Sequence, residues 1–275
     1  MKDVAIQQMR IGAMLLIVLY HSVCYYGVWT GLFPHARQFE SIFYWKQLSN
    51  LALTVFVFIT GLLYAKLYFT KEKYRNRPKM LKDKALRLLV PYFLWAVVGL
   101  LLFPSGHILK EFYCGVQHVW FLLMLMVIFA IVIASGKWAM NIKALIGGLI
   151  FFLISYAFIG EYGTRLPNVA AWTFAVRYMP AFICGMLTVR LGIAEKMKHR
   201  PVWMQLLTLA AFAFLAFFIG RMPSLPLYRL YVNLPVYCLF ICFYVLLSAI
   251  HCRWAAASPT RLTVTAWEYI SSTTY

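Results

Sequence analysis

Apolar residues fall into eight long runs, at about 9–28, 47–69, 86–104, 117–135, 143–160, 170–190, 202–220 and 229–250. Each is close to the roughly 20 residues that carry an α-helix across a bilayer. Backbone groups in lipid must be bonded within their own segment, so runs of this kind are helices. The pattern predicts an all-α polytopic bundle of about eight full spans, forming one integral-membrane domain over 1–275. No long-period repeat and no low-complexity tract interrupts it, and the loops are too short for a soluble domain. Among the ionisable residues that fall within or against the runs are Arg10, His21, Lys66 and Arg177.

Composition supports this reading. The chain is 63% hydrophobic and only 12% charged, with a mean hydropathy of +0.76. A net charge of +18 invites a nucleic-acid reading. The placement of the charges argues against one, because they cluster in short segments between runs. Counting lysines and arginines on alternate sides places eighteen with the N-terminus and six opposite. By the positive-inside rule the N-terminus is then cytoplasmic. The first run is too long for a cleaved signal and has no small-x-small site close behind it. The six cysteines lack C-x-x-C spacing and mostly lie in apolar runs, so no metal site or disulfide framework is expected.

The first run, from Met9 to about Tyr26, carries the candidate chemistry. Arg10 and His21 are eleven positions apart. At about 100° and 1.5 Å per residue they share nearly one helix face and lie roughly 16 Å apart. An imidazole in an apolar span needs a partner, and its usual reason for being there is functional. Neutral imidazole takes a proton near pH 7, so His21 is the candidate general base. Arg10, Lys84 and Arg87 form a basic edge suited to the phosphates of an anionic ligand. Lys84 and Arg87 are three apart and share a face. Trp120 and His118 are candidate donors to an oxyanion. Arg177 is expected to line the cavity, since a lipid-facing arginine near mid-span costs at least about 2.5 kcal/mol. Glu111 and Glu161, at outer loops, are candidates to orient His21 or the acceptor.

Five segments in order resemble the acyltransferase-3 family of multispan membrane O-acyltransferases. They are Arg10 to His21; the Phe-Val-Phe-Ile-Thr-Gly stretch ending at Gly61; Lys84-Ala-Leu-Arg87 before Pro91; His118-Val-Trp120-Phe121-Leu122; and Arg177 through Phe182 to Gly185-Met186. The resemblance implies about ten spans in the inner membrane of a bacterium, and essential Arg10 and His21. It implies acetyl-CoA or another acyl-CoA as cytoplasmic co-substrate, with no bound cofactor. The acceptor it implies is a hydroxyl of a surface glycan or its lipid-linked precursor, met beside membrane lipid. Many members have an acid three residues before the arginine, where this chain has Gln7. The ending Ile-Ser-Ser-Thr-Thr-Tyr resembles the lead-in to a final helix, so the last helix is expected to be missing and residues 262–275 to lie at the interface. The competing class is a transporter or flippase using His21 and Arg177 as proton or substrate sites. The absence of a visible inverted repeat and of acids within the runs weighs against it.

Overall fold

The computed structural model describes residues 3–24, 43–70, 76–102, 112, 119–162, 169–197, 200–220 and 233–257. These residues form helices α1 (Val4–Cys24), α2 (Phe43–Thr70), α3 (Arg77–Leu102), α4 (Trp120–Ser135), α5 (Ile142–Tyr162), α6 (Trp172–Arg190), the short α7 (Ile193–Met197), α8 (Val202–Gly220) and α9 (Asn233–Ala257). The fold is an all-α polytopic bundle, and the described residues include no strand. Among the described residues, seven helices are long and apolar enough to cross a membrane. The apolar part of α8, Val202–Phe218, is shorter. Side chains such as Leu15, Leu94, Leu101, Phe151 and Phe214 point outward, exposed, as a lipid-facing surface requires.

Short polar residues start several helices. Asp3 Oδ1 accepts from the Ile6 amide at 3.2 Å and caps α1. Asn76 Oδ1 does the same for Lys79 in α3, and Asn141 Oδ1 for Lys143 in α5. Each satisfies an amide that has no partner within the helix. Two boundaries differ from the sequence reading. Helix α1 begins at Val4, so Arg10 stands in its second turn rather than at its start. Helix α3 begins at Arg77, so the basic segment through Arg87 is helical and Pro91 lies in the helix interior. Lysine, arginine and leucine are good helix formers, so the polar run continues the span instead of ending it. Pro91 removes the amide that would bond to the Arg87 carbonyl.

The bundle is built on the crossing of α2 and α6, its most extensive helix contact. Helix α1 packs on α2 and α9, α5 on α6, α4 on α3 and α6, and α8 on α9. At the crossing, Phe58-Ile-Thr-Gly61 meets Phe182-Ile-Cys-Gly185. A methyl group on Gly61 would run into the Phe182 carbonyl, with its carbon 2.9 Å away. A methyl on Gly185 would strike the Phe58 carbonyl oxygen and sit 2.8 Å from the Leu62 nitrogen. Each glycine thus receives the other segment's backbone. Phe58 and Phe182 are fully buried beside them. Phe58 reaches Phe240 of α9 at 5.9 Å, and Phe182 reaches Phe129 of α4 at 5.7 Å.

Gly61→Ala and Gly185→Ala should each cost about 1–3 kcal/mol or more, because backbone rather than a flexible side chain must yield. Gly147→Ala meets nothing within 4 Å and should leave stability unchanged or raise it. Thermal unfolding in detergent checks this. Equal midpoints for Gly61→Ala and Gly147→Ala would contradict the close crossing.

Candidate functional site

The helices alternate in direction. One end of the bundle therefore gathers the start of α1, the end of α2, the start of α3, the α4–α5 turn and the end of α6. Lys66, Arg190 and Arg77 there lie against protein groups. Lys66 donates to Asp3 Oδ2 and, at 2.6 Å, to the Tyr244 hydroxyl, which also donates to Asp3 Oδ2 at 3.1 Å. This joins α1, α2 and α9. Burial pushes the Asp3 carboxyl up, but hydrogen bonds and charge from Lys66 outweigh it and hold the group below its ordinary 3.8. Arg190 Nε donates to the Met140 carbonyl at 3.0 Å and lies over the Phe69 ring. The Arg77 guanidinium covers Gly136, whose φ of +57° ends α4.

The predicted site residues divide between the two ends. Arg10 is exposed in the second turn of α1. Arg87 is exposed on α3, while Lys84 is half-buried with its Nζ 4.2 Å from the centre of the Phe129 ring. Lys84 therefore contributes to the α3–α4 contact as well as to the basic edge. Extensive packing does not join α1 to α3.

His21 lies in the last turn of α1, toward the opposite end, and is half-buried. Its Nδ1 is 2.8 Å from the Ile17 carbonyl oxygen. A carbonyl only accepts, so Nδ1 carries a proton, and in the neutral form of the ring the lone pair is then on Nε2. The Tyr20 ring meets the imidazole edge to face at 5.3 Å. A main-chain carbonyl one turn back thus helps to orient the ring. Glu111 and His118 lie outside the described residues, as do residues 262–275; Glu161 is in α5, but its side chain is not among those described.

Trp120 and Arg177 come together at the His21 end. Trp120, the first residue of α4, stacks on Phe174 at 4.3 Å and lies 6.3 Å from Tyr178. The Arg177 guanidinium is 5.5 Å from the same Tyr178 ring and 5.8 Å from that of Tyr156. Just before α6, Ala170 and Ala171 take left-handed angles, with φ of 55° and 56°. An apolar cavity of about 120 Å³ lies elsewhere, between α4, α5 and α6, lined by Val132, Trp138, Leu145, Phe152 and Met179 among others. It contains none of the predicted residues.

Sequence reasoning missed the Asp3–Lys66–Tyr244 cluster and the tyrosines around Arg177. The signal for the first was present. An in-span lysine calls for an acid, and the chain has only eight acidic residues. The tyrosines gave no such signal among 18 in the chain.

The family model for an acyltransferase domain matches residues 3–275. No curated protein and no solved structure matches the chain.

Asp3→Asn should lower thermal stability at pH 7. The Asp3 carboxyl is held low in the folded state, so its contribution is present above the ordinary carboxylate value. It is lost as pH falls through that value and the lowered folded one. The gap between wild type and variant should therefore close below about pH 4. Unfolding midpoints from pH 7 to 3 check this, and a gap that stays constant would rule out the ion pair as its source.

Proposed function

The chain belongs to the acyltransferase-3 family and is a membrane acyltransferase, and from that premise we propose that it moves an acyl group, acetyl in the first instance, from acyl-CoA to a carbohydrate hydroxyl. The acceptor is a surface glycan or its lipid-linked precursor in the bacterial inner membrane, and the acyl-CoA approaches from the cytoplasm. The observation that carries this reading is the His21 imidazole, oriented by the Ile17 carbonyl on the helix that also bears Arg10.

In this scheme His21 Nε2 takes the proton of the acceptor hydroxyl. The hydroxyl oxygen bonds to the thioester carbonyl carbon, and the carbon–sulfur bond breaks. The CoA thiolate leaves and recovers the proton from the imidazolium, giving an ester and free CoA. The Ile17 carbonyl holds the tautomer through both transfers, as a carboxylate would in a triad. Arg10, Arg87 and Lys84 supply cations for the CoA phosphates at the other end. The rise from Arg10 to His21 is roughly 16 Å, which an extended pantetheine arm spans. Trp120 and Arg177 then lie on the acceptor side.

His21→Ala should lower free-thiol release from acetyl-CoA by about 10²–10⁴-fold, with helical content and thermal midpoint retained. Near-normal turnover in a folded variant would remove His21 as the base. Glycan mass spectrometry of cells with and without the gene identifies the modified product.

Arg10→Ala should raise KM for acyl-CoA more than KM for the acceptor, and Lys should restore only part of the loss if the contact is bidentate. Unchanged acyl-CoA affinity in both Arg10→Ala and Arg87→Ala would place the phosphate site elsewhere.

A further inference from the structure

Arg177 sits in the second turn of α6, well inside the Val169–Arg190 span. Its guanidinium faces the rings of Tyr156 from α5 and Tyr178 from its own helix, within electrostatic range of the buried Tyr237 on α9. Ring faces attract the cation but do not match the five N–H donors of a guanidinium. Among the described residues Arg177 has neither a hydrogen-bond acceptor nor a carboxylate partner. Lys66, another in-span cation, has both kinds of oxygen partner. An arginine serving only as a membrane anchor would extend its head along the span toward water. Here rings contributed by two helices flank the head. Trp120, stacked on Phe174 and next to Tyr178, extends the aromatic wall. The left-handed Ala170 and Ala171 add backbone strain of the kind that clusters at ligand sites.

We propose that Arg177 binds an oxyanion carried by the acyl acceptor, a carboxylate or a phosphate on the sugar that is acylated. Tyr156, Tyr178 and Trp120 form aromatic walls suited to the C–H faces of that sugar. The guanidinium fork matches either oxyanion by paired N–H donors. The cation sets which acceptors enter and takes no proton, so Arg177 is a specificity-determining residue. The inference rests on the reading of the chain as an acyltransferase with a carbohydrate acceptor. It commits that acceptor to an anionic sugar.

The test is binding to the detergent-purified full chain without acyl-CoA, using three probes with one ring: glucose, glucuronate and glucose 1-phosphate. At least one anionic probe should bind tenfold or more tighter than glucose. The two anionic arms separate carboxylate from phosphate. Arg177→Gln should abolish the preference, Arg177→Lys should keep part of it, and Arg10→Ala should leave it intact. Tyr178→Leu should weaken all three probes without removing the preference. Equal binding of all three, no binding of any, a preference that survives Arg177→Gln, or one lost instead in Arg10→Ala would each overturn the proposal. Thiol release from acetyl-CoA, measured separately, tests the acyltransferase reading. A wild type that prefers the anionic probes yet releases no His21-dependent thiol keeps the site and loses the reaction.

Discussion

The close crossing of α2 and α6 is the constraint on which the remaining helices depend. In lipid, apolar side chains gain little by leaving one oily surface for another, so helices associate through tight packing. Gly61 and Gly185 allow each backbone to enter the space where the other would carry a Cβ. Phe58 and Phe182 then turn outward from the contact to α9 and α4. Helices α1 and α5 rest on the outer faces of the same pair. A shift at the crossing would therefore move α1, with Arg10 and His21, as well as the Arg177 turn of α6.

The ends of the bundle use polar groups differently. At the basic end, Lys66, Arg77 and Arg190 are held against Asp3, the end of α4 and the Met140 carbonyl. Those cations join helices to one another, whereas Arg10 and Arg87 remain exposed. At the other end His21 and Arg177 have partners of another kind. The imidazole uses a carbonyl of its own helix, and the guanidinium faces rings. A carbonyl without charge can fix a tautomer in a low-dielectric setting without adding a second buried ion. The first span itself contains no acid.

Much of the architecture was legible because the bilayer imposes a length and a polarity on every span. The eight apolar runs correspond to α1–α6, α8 and α9, and the ionisable residues within or against them include both ends of the candidate chemistry. The boundaries that moved, at Val4 and Arg77, moved because charged residues are compatible with helix and polarity alone does not end one.

By itself the sequence determined an all-α membrane bundle and the face shared by Arg10 and His21, since these follow from local periodicity and composition, and its short motifs carried the family resemblance. Even the His21–Ile17 contact is a one-turn relation within a single helix. The tertiary structure alone decided which helices touch. It paired Gly61 with a segment more than a hundred residues away, gave Lys66 the carboxylate of Asp3, laid Lys84 on Phe129, and brought Trp120 and Arg177 to one tyrosine. Every apolar face looks alike to lipid. The choice among neighbours therefore rests on side-chain shape and a few buried polar pairs, which exist only once distant helices have met.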